Sequence, residues 1–191
     1  MRGAQVLTAL ALAFAACTAY AGEEVLVCFN YRCSDTAAIT FDEAELKQIQ
    51  AQFVDAHTPE AERDAVSRAM GFFYFFAGQR TPVWRDRGGN YADDGADGRM
   101  DCIDHATNTT TFLEILRQRG ALRFHAVGEW VERGRFLTEH WSARIVERDD
   151  GAQFAVDTWF LDPGEPASIF VLEDWLGGAW PPGRSIWKNG R

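Results

Sequence analysis

Residues 101–119 read DCIDHATNTTTFLEILRQR, and this stretch determines how the rest of the chain is interpreted. Its apolar residues recur at helical spacing from Ile103 to Leu116, and Gly120 follows where a helix over residues 102–119 would end. Cys102 therefore falls in the first turn of this predicted helix. The helix dipole and the unpaired backbone N–H groups there both favour a thiolate, so the position predicts a reactive cysteine.

The sequence after this helix alternates polar and apolar residues, which is typical of β-strands. If residues 148–151 form a four-residue hairpin loop, position 140 lies opposite position 159 and diagonal to position 157 on one face. A two-residue turn at 150–151 would instead place position 161 opposite position 140. The predicted strands are residues 122–132, 137–147 and 153–160.

Two helices and a long loop are predicted before Cys102. A capping-box pattern at residues 40–43 begins a helix over residues 42–56, and Pro59 begins a second helix that ends near Gly78. Residues 80–98 are rich in glycine, aspartate and arginine, and such long loops in compact domains are usually functional. Helices followed by an antiparallel sheet predict the α+β class, in a single domain of residues 22–191.

Composition and motif content exclude several function classes. The 191 residues carry a formal net charge of -9, so no surplus of lysine and arginine exists for binding nucleic acid or an anionic membrane surface. The chain also lacks the glycine-rich nucleotide-binding motifs, the Gly-x-Ser-x-Gly motif and the His-Glu-x-x-His motif. Nucleotide chemistry is therefore not expected.

Residues 1–21 predict a secretory signal peptide, with Arg2, an apolar run over residues 6–16 and an A-x-A cleavage site at residues 19–21. The run is shorter than the roughly 20 residues that span a bilayer core, and no later stretch qualifies. We therefore expect no membrane span and a periplasmic or secreted protein. Cleavage before Cys17, which would leave a lipid-anchored N-terminus, is the alternative, although Phe14 stands where leucine is usual.

Removal of the signal peptide leaves an odd number of cysteines. Cys28 and Cys33 are separated by four residues and are predicted to pair in an oxidising compartment. Cys102 is then a free reactive thiol or an intermolecular partner, and a buried cysteine that only fills space is the alternative. His140 and Asp157, on successive predicted strands, suit the roles of a base for this thiol and an acid that orients the base.

Two metal sites compete with this interpretation. Four aspartates follow part of an EF-hand spacing, but Gly95 lacks the oxygen wanted at the third position, so a solvated acidic loop is preferred. Cys102 and His105 are three residues apart on one helix and would need His125 or His140 to complete a zinc site, which is a weak ligand pattern. We predict no metal and no cofactor. The four aspartates are Asp93, Asp97, Asp101 and Asp104.

The contexts of these residues resemble the transglutaminase-like cysteine enzymes of the papain-like class. The matching stretches are DCID at residues 101–104, EHW at 139–141 and AVD at 155–157, with GALRFHAVG at 120–128 between helix and first strand. The resemblance spans roughly residues 99–162. It implies a papain-like, transglutaminase-like fold, in which N-terminal helices precede a nucleophile helix packed on an antiparallel sheet.

The resemblance also implies roles: Cys102 is the nucleophile, His140 the base and Asp157 the orienting acid. Bacterial periplasmic members that act as proteinases carry DCED at the nucleophile, with acids implicated in calcium binding, whereas Ile103 stands at the third place here. The backbone N–H of Cys102 is expected to stabilise an oxyanion, and Gln79 is a candidate side-chain donor.

The sequence therefore predicts an exported thiol hydrolase or acyltransferase that acts on an amide or peptide bond of a protein or peptide substrate. A cysteine peptidase or amidase is the preferred form, and neither hydrolysis nor amine transfer is excluded. The alternative is a non-catalytic envelope domain that retains this fold for binding.

Overall fold

The computed structural model describes residues 22–89, 93, 95–135 and 138–182, so the predicted signal peptide lies outside the described residues. The described chain forms helices and two antiparallel sheets. The strands are β1 (Glu23–Phe29), β2 (Asp35–Phe41), β3 (His125–Arg135), β4 (Thr138–Glu147), β5 (Gln153–Asp157) and β6 (Ser168–Val171). The α-helices are α1 (Glu43–Gln50), α2 (Pro59–Gly78), α3 (Cys102–Gln118) and α4 (Leu172–Leu176).

An N-terminal hairpin of β1 and β2, which the sequence pattern does not predict, precedes the helices. Its strands pair from Glu23 opposite Phe41 to Phe29 opposite Asp35. The four residues 30–33 at its tip all have positive φ angles between 52° and 67°. This left-handed conformation costs roughly 1–2 kcal/mol for each residue that has a Cβ, so other contacts must hold the tip in place.

Both predicted N-terminal helices are present, although the first is shorter than expected. Asp42 caps α1 with a side chain that accepts from two backbone N–H groups, but the helix ends at Gln50 and tightens into a 3₁₀ turn instead of running to residue 56. The Thr58 side chain then caps the next helix by accepting from the Ala61 N–H at 3.2 Å. Helix α2 runs over Pro59–Gly78, as predicted.

The main sheet follows α3 and has the strand order β3-β4-β5-β6. Strands β4 and β5 pair from Ala143 opposite Val156 to Val146 opposite Gln153, which confirms the predicted four-residue loop and register. Strand β3 begins three residues later than predicted, and β6 is an addition to the prediction. Strand β5 ends at Asp157 instead of residue 160 because the Asp157 side chain accepts from the Trp159 N–H at 3.1 Å and turns the chain.

Helix α3 lies in the middle of the molecule, between α2, the N-terminal hairpin and strand β4. Phe112 of α3 stacks on Phe73 of α2 with ring centroids 4.7 Å apart, and it meets Phe41 of β2 edge-on at 5.7 Å. All three rings are buried, and each contributes about 2 kcal/mol of hydrophobic stabilisation. The α+β class is confirmed. Across the described ranges, no helix combines the length and apolar character needed to cross a membrane.

Candidate active site

Cys102 is the first residue of α3, as the sequence predicts. The Asp101 side chain accepts from the N–H groups of Ile103 and Asp104, both at 3.0 Å, and Asp104 returns the contact by accepting from the Asp101 N–H at 3.1 Å. This reciprocal capping box begins the helix at Cys102. It uses the N–H groups of residues 103 and 104 and does not use that of Cys102.

The tip of the N-terminal hairpin holds the start of α3. Asp104 accepts from the N–H of Tyr31 at 2.9 Å and from that of Cys33 at 2.5 Å, and Asp101 accepts from the N–H of Arg32 at 3.1 Å. Successive N–H groups of a left-handed segment form an anion-binding nest, which two carboxylates of α3 occupy here. Burial raises the pKa of Asp104 to about 6, against the lowering effect of the hydrogen bond from Cys33.

A disulfide between Cys28 and Cys33 closes the same hairpin tip and confirms the predicted pairing. Cys102 is a free cysteine and is partly accessible. The thiol that the odd cysteine count left over is therefore the one at the start of α3.

His140 and Asp157 meet across strands β4 and β5. The continued register places position 140 opposite position 159, and His140 Nε2 reaches diagonally to Asp157 Oδ2 at 2.7 Å. An ionised carboxylate only accepts hydrogen bonds, so Nε2 carries the proton in this contact. Nδ1 is then the basic nitrogen of the His140 ring.

Two more donors hold the Asp157 carboxylate. The indole Nε1 of Trp175 donates to Oδ2 at 2.8 Å, and the Trp159 N–H donates to Oδ1 at 3.1 Å. Asp157 is 1% exposed, so these contacts replace the water that a surface carboxylate would bind. Trp175 comes from α4, a short helix that the sequence pattern does not predict, and no motif marks it.

The surroundings of Cys102 raise the pKa of its thiol, whereas the helix start taken alone lowers it. Burial raises the pKa of the Cys102 thiol, a hydrogen bond from the Trp141 backbone N–H lowers it, and the charges of Asp101 and Asp157 raise it again. These effects outweigh the lowering by the thiol's own backbone N–H at the helix start. Deprotonation of Cys102 therefore needs a base.

The same contacts place Cys102 beside the strand that carries His140. The backbone N–H of Trp141, the residue after His140 on β4, lowers the pKa of the Cys102 thiol, and the negative charge of Asp157 on β5 raises it. Within the part of the chain that the structure describes, no hydrogen bond joins Cys102 directly to His140. The structure thus brings all three predicted residues into one region, with His140 and Asp157 already bonded to each other.

Aromatic side chains surround the His140 ring. Trp159, Phe160 and Trp175 have ring centroids 4.7, 5.5 and 5.6 Å from that of His140. The His140 side chain is 12% exposed, so its contact with Asp157 is largely removed from water. In such surroundings a charge-assisted hydrogen bond is stronger than it would be at an open surface.

His105 ties α3 to the end of β5, a role that the sequence interpretation missed. One of its ring nitrogens lies 3.0 Å from Asp86 Oδ2 and the other 2.9 Å from Thr158 Oγ1. Both nitrogens are thus engaged with protein groups, which argues against the zinc site built on Cys102 and His105. Because Thr158 follows Asp157, the link helps to fix α3 against the strand that carries Asp157.

The loop aspartates that suggested an EF-hand-like spacing bind protein groups instead. Asp93 is 4% exposed and accepts from the Arg87 N–H at 3.1 Å, while Asp104 is fully buried, so the expected solvated acidic loop is only partly correct. Among the described residues, one cluster has metal-ligating geometry, and it consists of Cys28, Cys33 and Asp104. Its two sulfurs form the disulfide.

The remaining predicted residues lie apart from this region. His125 is fully buried, and it contacts Glu62 at 2.9 Å and Arg63 at 3.2 Å, which joins α2 to β3. Gln79 is exposed at the C-terminal end of α2. In the described ranges, no contact joins Gln79 to Cys102, His140 or Asp157.

Comparisons with known proteins give no relative for this chain. No family model, no curated protein and no solved structure matches it. The chemistry of the region must therefore be argued from its own residues.

Proposed function

We propose that this protein is an exported cysteine hydrolase or acyltransferase that acts on amide or peptide bonds through Cys102, His140 and Asp157. The observation that carries the proposal is the 2.7 Å contact between His140 Nε2 and Asp157 Oδ2, next to a free cysteine at a helix start. This contact assigns the proton to Nε2 and leaves Nδ1 as a base. A papain-like, transglutaminase-like fold is part of the proposal.

Because its surroundings raise the pKa of the Cys102 thiol, we infer that the thiol loses its proton only during the attack. His140 Nδ1 takes the Cys102 proton as the sulfur attacks the carbonyl carbon, and the resulting oxyanion is stabilised by the Cys102 N–H. Collapse of this intermediate breaks the carbon–nitrogen bond, and the imidazolium returns its proton to the leaving amine. Water or a second amine then attacks the thioester, with His140 again accepting and returning one proton. Asp157 stabilises the imidazolium throughout.

The disulfide and the charge of the chain support a protein that works outside the cytoplasm and does not bind polyanions. The Cys28–Cys33 disulfide is typical of an oxidising compartment, in agreement with the predicted signal peptide. The net charge of -9 disfavours polyanionic partners. Periplasmic or secreted peptides are therefore the preferred substrates, and either water or an amine can complete the reaction.

A non-catalytic envelope domain is the second candidate, and one observation favours it. Burial raises the pKa of the Cys102 thiol, and in the described residues no hydrogen bond links this thiol to His140. A purely structural cysteine would have the same properties.

Acylation by p-nitrophenyl acetate separates the two candidates. We expect a burst of p-nitrophenolate equal to the enzyme concentration, with the acetyl group found on the Cys102 peptide by mass spectrometry. Cys102→Ala and His140→Ala should abolish the burst, whereas His57→Ala, which changes an exposed histidine outside the site, should not. A folded protein that gives neither burst nor acetylated Cys102 would establish the non-catalytic domain. If acylation occurs, a peptide library incubated with and without an added amine shows whether water or an amine is the acyl acceptor.

A further inference from the structure

Trp175 makes a contact that ordinary core packing does not require. It is fully buried, and its indole Nε1 lies 2.8 Å from Asp157 Oδ2, the same oxygen that lies 2.7 Å from His140 Nε2. The other carboxylate oxygen, Oδ1, accepts from the Trp159 N–H. Three donors with fixed directions therefore determine the rotation of the carboxylate, and the indole supplies one of them.

The Trp175 ring also packs against the base. Its centroid lies 5.6 Å from that of the His140 ring, with an angle of 34° between the planes. If the Asp157 carboxylate rotated, the indole contact would break, and the imidazole would lose the partner that fixes its tautomer. One side chain thus acts on both members of the His140–Asp157 pair.

Strand β3 holds Trp175 in this position. Arg133 is the register partner of His140, and its guanidinium lies 4.6 Å from the Trp175 ring centroid. The same guanidinium donates to the backbone carbonyls of Trp175 at 2.5 Å and of Ala179 at 3.2 Å. Helix α4 is therefore anchored to the strand directly beside His140, which makes the indole a fixed donor instead of a mobile one.

We propose that Trp175 is a positioning residue, whose indole N–H fixes the Asp157 carboxylate so that His140 keeps its proton on Nε2 and presents Nδ1 as the base. This inference rests on the proposed function for its catalytic consequence. The hydrogen-bond geometry that it predicts can be measured whether or not the protein is an enzyme.

The test replaces the N–H group and keeps the ring. Trp175→Phe removes the donor, and site-specific incorporation of 3-benzothienylalanine at position 175 substitutes sulfur for N–H with almost unchanged shape. Trp180→Phe is the matched control, since Trp180 belongs to the same aromatic cluster through Trp159 and Phe160 and makes no described contact with Asp157. The readouts are the rate of Cys102 acylation by p-nitrophenyl acetate and the ¹⁵N and ¹H resonances of His140.

We expect both position-175 replacements to slow acylation roughly 10-fold to 100-fold, the range for loss of a hydrogen bond to a charged group, and Trp180→Phe to leave it unchanged. The His140 Nε2–H resonance should move upfield, and the ¹⁵N shifts should show a larger fraction of the other tautomer. If Trp175→Phe fails to fold, the benzothienyl variant gives the answer. Unchanged His140 resonances in that variant would overturn the inference, even if acylation slows. Absence of acylation in the unmodified protein would refute the proposed function alone, because the resonances still report on Trp175.

Discussion

Cys102 and the His140–Asp157 pair are positioned by different kinds of structure. His140 and Asp157 lie on adjacent strands joined by a four-residue loop, so a short segment of chain sets their register. Cys102 lies at a helix start that is held by the hairpin tip at residues 30–33, about 70 positions earlier in the chain. The positions of His140 and Asp157 thus depend on local strand pairing, whereas that of Cys102 depends on contacts between distant segments.

This difference has a consequence for how each half responds to substitution. Changes at His140 and Asp157, the strand half of the site, should alter chemistry with little effect on stability. The strands remain paired without the hydrogen bond between these two side chains. Changes at the start of α3 and at the hairpin tip of residues 30–33, the helix half of the site, should alter stability first. Such changes release the strained hairpin tip. Variants that affect only one of these properties are therefore the sharpest tests.

Asp157→Asn should have the largest effect, on acylation. Asparagine keeps the shape of the side chain but removes the charge that stabilises the imidazolium, so the rate of Cys102 acylation should fall by roughly a thousandfold. The melting temperature should change by only a few degrees. Stopped-flow acylation with p-nitrophenyl acetate, beside thermal unfolding, measures both. Normal acylation in this variant would show that Asp157 has no role in the reaction. Unfolding of the variant would show that Asp157 is primarily structural.

Asp104→Ala should have the next largest effect, on stability. It leaves the N–H groups of Tyr31, Cys33 and Asp101 without their acceptor, and each buried unpaired group costs about 1–3 kcal/mol. Allowing for partial hydration, we expect a loss of about 3 kcal/mol in urea unfolding. Glu114→Ala is the control on the same helix, since its side chain is 38% exposed and its pairing with Arg117 is worth less than about 1 kcal/mol. Equal losses in the two variants would contradict the anchoring role of Asp104.

Removal of the disulfide should act on the helix half alone. The pair Cys28→Ser and Cys33→Ser opens a short loop, which costs about 2 kcal/mol of stability in the chain-entropy view. The freed tip should relax from its left-handed conformation and loosen the start of α3, so acylation of Cys102 should slow several-fold. The His140 Nε2–H resonance should stay unchanged. If the His140 Nε2–H resonance also shifts when the disulfide is removed, the two halves are coupled and the comparison fails.

The same distinction explains what the sequence could and could not predict. The helix start at Cys102, the disulfide and the β4–β5 register follow from caps, spacing and loop length, which are local signals. The docking of the hairpin tip on Asp104 and the link from His105 to Thr158 depend on packing between segments 50 to 70 positions apart. Trp175 lies on a five-residue helix without a side-chain cap, so neither its element nor its contact has a local signature.

The protonation state of Cys102 shows a second limit of the sequence. The helix start does lower the pKa of a thiol, as expected, but the sequence cannot show how deeply the residue is buried or which charges face it. Burial and the nearby acids Asp101 and Asp157 outweigh the helix effect here. The sequence thus predicts the direction in which the helix start changes the pKa of the thiol, and the packing of the folded chain reverses the net result.

Asp93 offers the smallest effect and tests the loop that leads to the nucleophile. Burial and the neighbouring Asp86 carboxyl raise the pKa of Asp93 to about 6. Because this folded-state pKa lies above the ordinary value of 3.8, the stability that Asp93 contributes is fully present below about pH 4 and is lost as the pH rises through about 6. Asp86 cannot rotate away from the repulsion, since it accepts from the Met100 N–H at 2.7 Å and contacts His105 at 3.0 Å.

Asp93→Asn should therefore stabilise the protein at about pH 7.5 and not at about pH 4, because asparagine has the shape and neutrality of the protonated acid. We expect a gain of about 1 kcal/mol in urea unfolding at the higher pH. Asp104, whose pKa is also about 6, contributes in the same direction, so the variant should retain part of the pH dependence of the unmodified protein. A variant with an unchanged dependence between about pH 4 and pH 7.5 would show that Asp93 is ionised in the folded protein throughout this range.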